Sequence, residues 1–360
     1  MSRGSSFVKN YPGMQVSSAL SPSFTTPSTQ LPGESPTGNI AVMQGGWLGA
    51  LTLDGLTSNS VYSQFINIAS AGNSTLFASI SRRQAIQAGV YSGANAGNSA
   101  VGSSTRMVIT MGEYGGGYLL RQIEYLEFAT KGTAQKFGVH TNYGGYRWTC
   151  SSATRGIFGG GNLSTTGSFG GVVTGIRYVT IATLGNSVSF GSMIAPSDQM
   201  SGCGSTTRGV FGGNDVALVY GRSVDIEYIT IATTGNSTNF GDFSTTGMTA
   251  GAASSSTRAL FMGGRNVSNA ADTLVTEYLT IATTGNSTNF GNLAQYRTYA
   301  VGLSNSTRAV DAGGYANATA TAQSTSEYFT IATTGNATSF GNLLSTMYTA
   351  GGASNSHGGL

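Results

Sequence analysis

Residues that could carry acid–base, nucleophilic or metal chemistry are few in this sequence of 360 residues. The two histidines, His140 and His357, lie far apart in the chain. A copper centre of the Tyr/His/Cys kind requires a cluster of such residues, and two isolated histidines do not supply it. No S-x-D-x-G-x-x-W motif of the sialidase type is present. We therefore expect a protein that is not an enzyme and that holds no metal or cofactor.

Charged residues that recur along the chain have two interpretations. Four glutamates occupy one recurring position: Glu124, Glu227, Glu277 and Glu327. Five arginines occupy another: Arg106, Arg155, Arg208, Arg258 and Arg308. Such rings could form a binding site, or they could hydrogen-bond to each other within or between structural units. Recurrence in successive units favours the structural role, because a binding site usually breaks the symmetry of a repeat.

These charges belong to a long internal repeat. The phrase EYITIATTGNSTNFG at Glu227–Gly241 recurs as EYLTIATTGNSTNFG at Glu277–Gly291 and EYFTIATTGNATSFG at Glu327–Gly341, with degenerate copies upstream. Its glycine recurs at spacings of 60, 53, 50, 50 and 50 residues. These glycines are Gly72, Gly132, Gly185, Gly235, Gly285 and Gly335. Phrases such as STRALFMGG lie between the copies, so the sequence contains six units.

Each unit has the pattern of four short strands. The stretch that begins T-R and ends in glycine predicts one strand, and the alternating, β-branched Y-x-T-I-A-T predicts the next. T-G-N then predicts a tight turn, followed by a strand containing phenylalanine. A stretch rich in Gly, Ala and Ser, such as YRTYAVGLSNS, supplies the fourth strand. Four strands at a period near 50 residues are typical of a β-propeller blade.

The glycine pair, the following tyrosine and the aromatic residue after it resemble the kelch repeat, over about residues 39–360. Phenylalanine replaces the kelch tryptophan in every unit: Phe77, Phe137, Phe190, Phe240, Phe290 and Phe340. The combination of IATTGNxTxFG with STRxVFGGG is similar to kelch-like propellers in structural proteins of tailed bacteriophages, especially cyanophages. That resemblance implies a non-enzymatic virion component in a tail, fibre or decoration position. The alternatives are a glycan-binding, lectin-like propeller module and, more remotely, a hydrolase or oxidase.

The two ends of the repeat region predict a closed ring. Residues 40–46 (IAVMQGG) match the second strand of a blade, and the C-terminal MYTAGGASNS matches a first strand. One blade shared between the N- and C-termini would close the ring and remove its exposed sheet edges. The predicted fold is therefore all-β: a six-bladed kelch-like propeller over residues 39–360.

Residues 1–38 predict a separate, extended N-terminal arm. Five of the six prolines lie there, in the Pro/Ser/Thr-rich segment SALSPSFTTPSTQLPGESPTGN and just before it. Proline lacks a backbone donor and favours extended structure. We expect this arm to anchor the protein to other virion proteins. The net charge of +3 without a basic block argues against nucleic-acid binding. No apolar run reaches the roughly 18 residues of a membrane span, so no membrane insertion is expected.

Variation in unit length indicates which face of the ring contacts partners. Length changes fall in the loops between strands 2 and 3 and between one blade's strand 4 and the next blade's strand 1. These loops share one face in kelch order. Exposed aromatic residues there can stack on sugars or anchor a protein. The candidate contacts for a host-surface glycan or protein are Trp47, Tyr91, Tyr114, Tyr118, Tyr220 and Tyr315.

Overall fold

The computed structural model describes residues 39–45, 62–79, 95–114, 118–130, 132, 134–164, 171–216, 221–245, 250–266 and 271–360. Strands dominate this part of the chain, and its one helical element is a 3₁₀ turn at Asn317–Thr319. Within the same ranges, no helix has the length and apolar character needed to span a bilayer. The predicted arm, residues 1–38, lies outside the described residues, so its boundary with the propeller stays a prediction.

The strands are short and follow one another closely. In the first half of the chain they are β1 (Ile40–Gln44), β2 (Tyr62–Asn67), β3 (Thr75–Ser79), β4 (Asn95–Ala96), β5 (Ser99–Gly102), β6 (Arg106–Thr110), β7 (Glu113–Tyr114), β8 (Tyr118–Leu119), β9 (Gln122–Glu127), β10 (Gln135–Val139), β11 (Tyr143–Gly145), β12 (Trp148–Ser151), β13 (Arg155–Gly159), β14 (Asn162–Ser164) and β15 (Val173–Thr180). In the second half they are β16 (Val188–Ser197), β17 (Ser201–Gly204), β18 (Arg208–Val216), β19 (Gly221–Thr230), β20 (Thr238–Asp242), β21 (Gly251–Ser254), β22 (Arg258–Met262), β23 (Val275–Thr280), β24 (Thr288–Asn292), β25 (Val301–Ser304), β26 (Arg308–Ala312), β27 (Tyr315–Ala316), β28 (Thr321–Ala322), β29 (Thr325–Thr330), β30 (Thr338–Asn342) and β31 (Gly351–Ser354).

Six four-stranded antiparallel sheets form the blades of a β-propeller, which confirms the predicted fold class. From the inner to the outer strand, blade 1 is β31-β1-β2-β3, blade 2 is β5-β6-β9-β10 and blade 3 is β12-β13-β15-β16. Blade 4 is β17-β18-β19-β20, blade 5 is β21-β22-β23-β24 and blade 6 is β25-β26-β29-β30. Each inner strand contacts the inner strands of both neighbouring blades, so the ring is closed.

Blade 1 combines strands from the two ends of the repeat region, as the sequence predicts. Strand β31 pairs antiparallel with β1, with Val42 opposite Ala353. The pairing is extended by the side chain of Asn355, whose Oδ1 accepts a hydrogen bond from the Ile40 N–H at 2.9 Å. The Asn355 N–H in turn donates to the Ile40 carbonyl at 2.9 Å.

The T-G-N triplet is not the tight turn that the sequence predicts. Strand β19 ends at Thr230, and the turn is formed by Ile231–Thr233, with the Thr233 N–H donating to the Thr230 carbonyl at 3.3 Å. The turn occurs early because Ile231 is only 1% exposed and is anchored in the core. The strand prediction over Y-x-T-I-A-T was therefore too long by the last three residues.

T-G-N instead joins neighbouring blades. The Gly235 N–H of blade 4 donates to the Phe190 carbonyl of blade 3 at 2.9 Å. The Asn236 side chain accepts from the Ser192 N–H at 3.0 Å, and the Ser237 N–H donates to the Ser192 carbonyl at 3.0 Å. Equivalent contacts join blades 2 and 3, 4 and 5, 5 and 6, and 6 and 1. A Cβ at Gly191 would overlap the Gly235 carbonyl oxygen, so this close approach requires glycine at position 191.

The recurring arginines also join blades, through backbone carbonyls. Arg208 Nη1 donates to the carbonyls of Ile281 at 2.8 Å and Ala282 at 3.0 Å, in the strand 3–4 turn of blade 5. Its guanidinium lies 4.3 Å from the ring centroid of Tyr228 in its own blade. The other four arginines make the same two contacts: Arg106, Arg155, Arg258 and Arg308.

Glutamates of the recurring ring accept from the preceding blade rather than from these arginines. Glu277 accepts from the Thr245 N–H at 2.9 Å, Glu327 from the Ala294 N–H at 2.7 Å, and Glu227 from the Ile194 N–H at 3.1 Å. The Arg–Glu hydrogen bonding expected between the two rings is therefore wrong for these positions. The structural role was correct, but each ring pairs with backbone groups, whose donors and acceptors must be satisfied when they are buried.

The loops define two different faces. The strand 4–1 and 2–3 loops pair with each other in small sheets, β11 with β14 and β4 with β7 and β8. We call the face that carries them the variable face. The opposite face carries the strand 1–2 and 3–4 connections, and we call it the constant face. The recurring contacts through arginine and T-G-N all involve strand 3–4 connections on the constant face.

Candidate functional site

The six inner strands surround a central channel with a volume of about 190 Å³. Its walls are mostly backbone and small side chains, because the inner strands have sequences such as SGCG, GAAS and GGAS. Serine hydroxyls connect the strands: Ser151 Oγ donates to the Gly102 carbonyl at 3.0 Å, and Ser254 Oγ to the Gly204 carbonyl at 2.7 Å. The channel is therefore narrow, with hydroxyl and backbone groups among its walls.

The last residues of the sequence cross the channel at the constant face. His357 Nε2 lies 2.8 Å from the Gly102 carbonyl oxygen of blade 2 and 3.2 Å from Ser151 Oγ of blade 3. The Gly358 N–H donates to the Ser254 carbonyl of blade 5 at 3.0 Å. Burial lowers the pKa of His357, while the contact with Gly102 opposes that shift. One end of the channel is thus covered by the chain itself.

The other end, which we call the channel mouth, opens on the variable face. Tyr146, Gln199, Tyr299 and Thr349 each lie two residues before an inner strand and line the channel. All four have left-handed backbone angles, with φ between 56° and 58°. This conformation is uncommon for residues other than glycine. Its recurrence shows that the sharp entry into the inner strand imposes the backbone and leaves the side chain free to differ between blades.

Hydrogen bonds hold these residues around the mouth. The Tyr146 N–H donates to the Gly97 carbonyl at 2.9 Å, and the Gln199 N–H to the Tyr146 carbonyl at 3.2 Å. The Thr349 N–H donates to the Tyr299 carbonyl at 3.0 Å. The Tyr299 hydroxyl reaches over to Gln199 Oε1 at 2.8 Å, which connects two blades that are not neighbours. Aromatic rings and an amide therefore stand together on a rigid support at the mouth.

Only one of the predicted contact residues has a described side chain. Tyr315, on β27, packs against Tyr348 with ring centroids 5.0 Å apart, beside the mouth residue Thr349. Tyr114 and Tyr118 are opposite each other in the β7–β8 hairpin of the variable face, and nothing further is described for them. Trp47, Tyr91 and Tyr220 lie outside the described residues. The assignment of all six as contacts stays a prediction.

A buried arginine positions the loops that hold Tyr299 and Tyr315. Arg297 is fully buried, and its Nη1 donates to the carbonyls of Gly313 at 2.8 Å and Thr325 at 2.6 Å. Its Nη2 donates to Glu327 Oε1 at 2.8 Å. The strand 4–1 and 2–3 loops of blade 6 are therefore tied together beneath the mouth.

Asp311 beside this arginine is an unusual buried acid. It is fully buried, and neither carboxyl oxygen has a hydrogen-bond partner among the described residues. Arg297 Nε is 4.0 Å away. Burial raises the pKa of Asp311 to about 8, with Arg297 opposing the shift. The equivalent residue in blades 3, 4 and 5 is phenylalanine: Phe158, Phe211 and Phe261.

Among the described residues, no group of three or more His, Cys, Asp and Glu is placed to hold a metal ion. Comparison with models of protein families finds no match for this sequence, and comparison with curated proteins finds no significant similarity. The fold and the mouth define the class: a closed six-bladed β-propeller, open on the variable face and covered by its own C-terminal residues on the constant face.

Sequence reasoning missed Tyr146, Tyr299 and Tyr348, although a signal for the first two was present. Both lie at one repeat position, two residues before the inner strand, where the residue type changes from blade to blade. The predicted contacts lie within the loops, whereas these two tyrosines are among the last residues before a strand. Tyr348 carries no comparable signal, because its role depends on Tyr315 from another loop.

Proposed function

We propose that this chain is a non-enzymatic structural protein of a bacteriophage virion, in a tail, fibre or decoration position. In this proposal residues 1–38 dock onto other virion proteins. The propeller then presents its variable face outward, with attachment to a host-surface glycan or protein as the role of that face. The virion assignment rests on the resemblance of the IATTGNxTxFG and STRxVFGGG repeats to kelch-like propellers of tailed phages.

One observation supports a display role in particular: repeated and non-repeated residues are divided between the two faces. The recurring arginines and T-G-N triplets are used in contacts between blades at the constant face. The mouth residues Tyr146, Gln199, Tyr299 and Thr349 are of three types and lie on the variable face. A scaffold that supports itself can vary its exposed loops without losing its fold, which suits a module that recognises a partner.

Deleting residues 1–38 tests the docking part of this proposal. The propeller strands bury their apolar faces against each other, so the truncated protein is expected to fold. Its Tm should stay within about 2 °C of that of the full chain, because a separate arm adds little to a packed domain. It should be missing from purified particles when it replaces the full chain during phage assembly. Normal incorporation of the truncated protein, or its failure to fold, would contradict the proposal.

Three of the predicted contact residues test the recognition part. Replacing Trp47, Tyr118 and Tyr220 together with alanine should weaken attachment to host cells while leaving the circular dichroism spectrum unchanged. Loss of even one buried aromatic anchor can cost about 2 kcal/mol. As a control, Phe77 of the outer strand β3 is replaced with alanine. Phe77 is buried in the core, so this change should lower the Tm. Unchanged attachment by the triple variant would contradict a role of these residues in recognising the host.

The alternative function is a lectin-like, glycan-binding propeller. Tyr146, Gln199 and Tyr299 favour it, because aromatic rings beside an amide can stack on and hydrogen-bond to a sugar. Screening the purified chain against a glycan array distinguishes the two. Binding to glycans by a chain that does not join particles would favour the lectin. Incorporation into particles would favour the virion protein, with any glycan binding as its attachment activity.

A further inference from the structure

Blade 3 has two arginines at positions where the other blades have different residues. In the strand register, Arg177 of β15 occupies the position that Glu227 and Glu277 occupy in blades 4 and 5. Arg147 immediately precedes the inner strand β12, where the other five blades have Asn, Met or Ala. Both substitutions add positive charge to one interface between blades 2 and 3.

The two arginines line one cavity of about 150 Å³, together with Asn142 and Phe158. A single water needs only about 10–15 Å³ of such space, so the cavity has room for a group of several heavy atoms. None of the described residues that line it carries a carboxylate. The cavity therefore has two cationic walls and an amide, without an acid to balance them.

The guanidiniums are held in place by the protein. Arg147 is only 8% exposed, and its Nη1 donates to the Gly144 carbonyl at 2.8 Å. Arg177 Nη1 donates to Thr141 Oγ1 at 2.8 Å. Each guanidinium has five N–H donors, so both retain donors for a ligand. Guanidiniums fixed in this way match the planar geometry with which arginine binds carboxylates and phosphates.

The described groups around the two arginines do not offset this positive charge. Burial and the charge of Arg177 lower the pKa of Arg147 to about 9. The nearby His140 is fully buried, packs edge-on against Phe158 at 5.4 Å and has its pKa lowered by burial and by both arginines. A buried cation without a counter-ion is costly, and a bound anion removes that cost.

We infer that this cavity between blades 2 and 3 is a binding site for a small oxyanion group, such as a phosphate, sulfate or carboxylate. Arg147 and Arg177 supply the charge and the paired donors, and Asn142 supplies an amide. The group could be a free ion or part of a charged sugar, and both sources have the same chemistry at this site. The inference is independent of the virion proposal, because it rests only on residues of blades 2 and 3.

Thermal unfolding of the full chain with added anion provides the test. Sodium phosphate and sodium sulfate are titrated against sodium chloride at constant ionic strength, with glucose 6-phosphate and glucuronate as sugar-borne probes. An anion at ten times its Kd is expected to raise the Tm by about 2 °C in a domain of this size, and the rise should saturate. Saturation at tenfold lower concentration with a sugar-borne group than with the free ion assigns the site to charged sugars, and the reverse assigns it to free ions.

The repeat itself supplies the variants. Arg177→Glu and Arg147→Ala introduce the residues that other blades have at these positions, so both are expected to fold. Each should abolish the saturable shift. Lys136→Glu is the control, since it makes the same change of charge at an exposed residue of β10 and should retain the shift. If either variant fails to fold, phosphate-induced shifts of the His140 ring resonances in the unmodified chain provide a second test.

Two results would overturn the inference. One is the absence of a saturable shift with every probe in the unmodified chain, together with unchanged His140 resonances. The other is a shift that persists in both Arg177→Glu and Arg147→Ala, because the anion would then bind elsewhere.

Discussion

On the constant face the same contacts recur from one blade to the next, whereas on the variable face the pair Tyr146–Arg147 is replaced by other residues, such as Gln199–Met200 and Tyr299–Ala300. Gly235 and Gly285 make the same hydrogen bond in successive blades. Arg147 and Asp311 have no like counterpart in the neighbouring blades. Contacts that close the ring are therefore repeated. Residues that depart from the repeat mark places where something other than ring closure, such as ligand binding or loop positioning, determines the residue type.

Truncation of the chain after Ala350 has the largest expected effect on stability, because it removes contacts that close the ring. It removes β31, the inner strand of blade 1, together with the residues that cross the channel. The ring would then have an open edge, and we expect no cooperative thermal transition above about 25 °C, because edge strands in an open ring lose their partners. Truncation after Ser354 is the control: it retains β31 and should still melt cooperatively, at a lower Tm. An unchanged Tm after the first truncation would contradict closure by β31.

Substitution of Gly191, which faces Gly235 of the next blade, has the next largest expected effect on stability. Gly191→Ala should destabilise the protein by about 3 kcal/mol, because the added methyl group must displace the backbone of blade 4. Gly235→Ala adds the same group where no atom lies within 4 Å, so a change below about 0.5 kcal/mol is expected. Urea unfolding of both variants measures the difference. Equal effects would show that the blades do not approach each other at this point.

The buried acid of blade 6 gives a pH-dependent effect. The pKa of Asp311 is about 8 in the folded chain and near 3.8 when the carboxyl is exposed, so the unfolded state releases its proton first as the pH rises. Its presence therefore destabilises the fold progressively between about pH 4 and pH 8. Asp311→Asn should give little change at pH 4 and a gain in stability that grows as the pH rises to 8. Urea unfolding at both pH values tests this, and a gain that does not grow with pH would contradict the raised pKa.

Replacing an arginine has the smallest expected effect and compares the two faces directly. Arg258→Met removes hydrogen bonds to the carbonyls of Ile331 and Ala332 and the contact with Tyr278, and should cost about 1.5 kcal/mol. Arg121→Met is the counterpart at an exposed position that follows a loop of the variable face, with an expected change below about 0.5 kcal/mol. Both are measured by urea unfolding. A larger loss from Arg121→Met would reverse the roles assigned to the faces.

The sequence was sufficient for the architecture, because the spacing of Gly72 to Gly335 determines the number of blades and IAVMQGG lacks a preceding first strand. It was not sufficient for the contacts between blades. A period locates the positions equivalent to Arg208 and Glu277 but does not show which neighbour each residue faces, so the Arg–Glu pairing was a natural but wrong expectation.

The candidate site was harder to predict than the fold. Tyr299 and Gln199 are 100 residues apart, and only closure of the ring brings them together. The exchange of glutamate for Arg177 was visible in the phrase RYVTIATLGNSVSFG. A binding site could not be predicted from this exchange alone, because the sequence does not show that Arg147 lines the same cavity as Arg177.

Hydrogen exchange of the T-G-N glycine amides tests the central claim most directly, namely that the constant face holds the blades together. Gly185, Gly235, Gly285 and Gly335 are exposed residues, yet each N–H donates to a phenylalanine carbonyl of the preceding blade at 2.8–3.1 Å. These amides should exchange roughly 1,000-fold or more slowly than those of the exposed residues Ala318 and Thr319 on the variable face. Exchange of the four glycine amides at the rate of those loop residues would contradict the account.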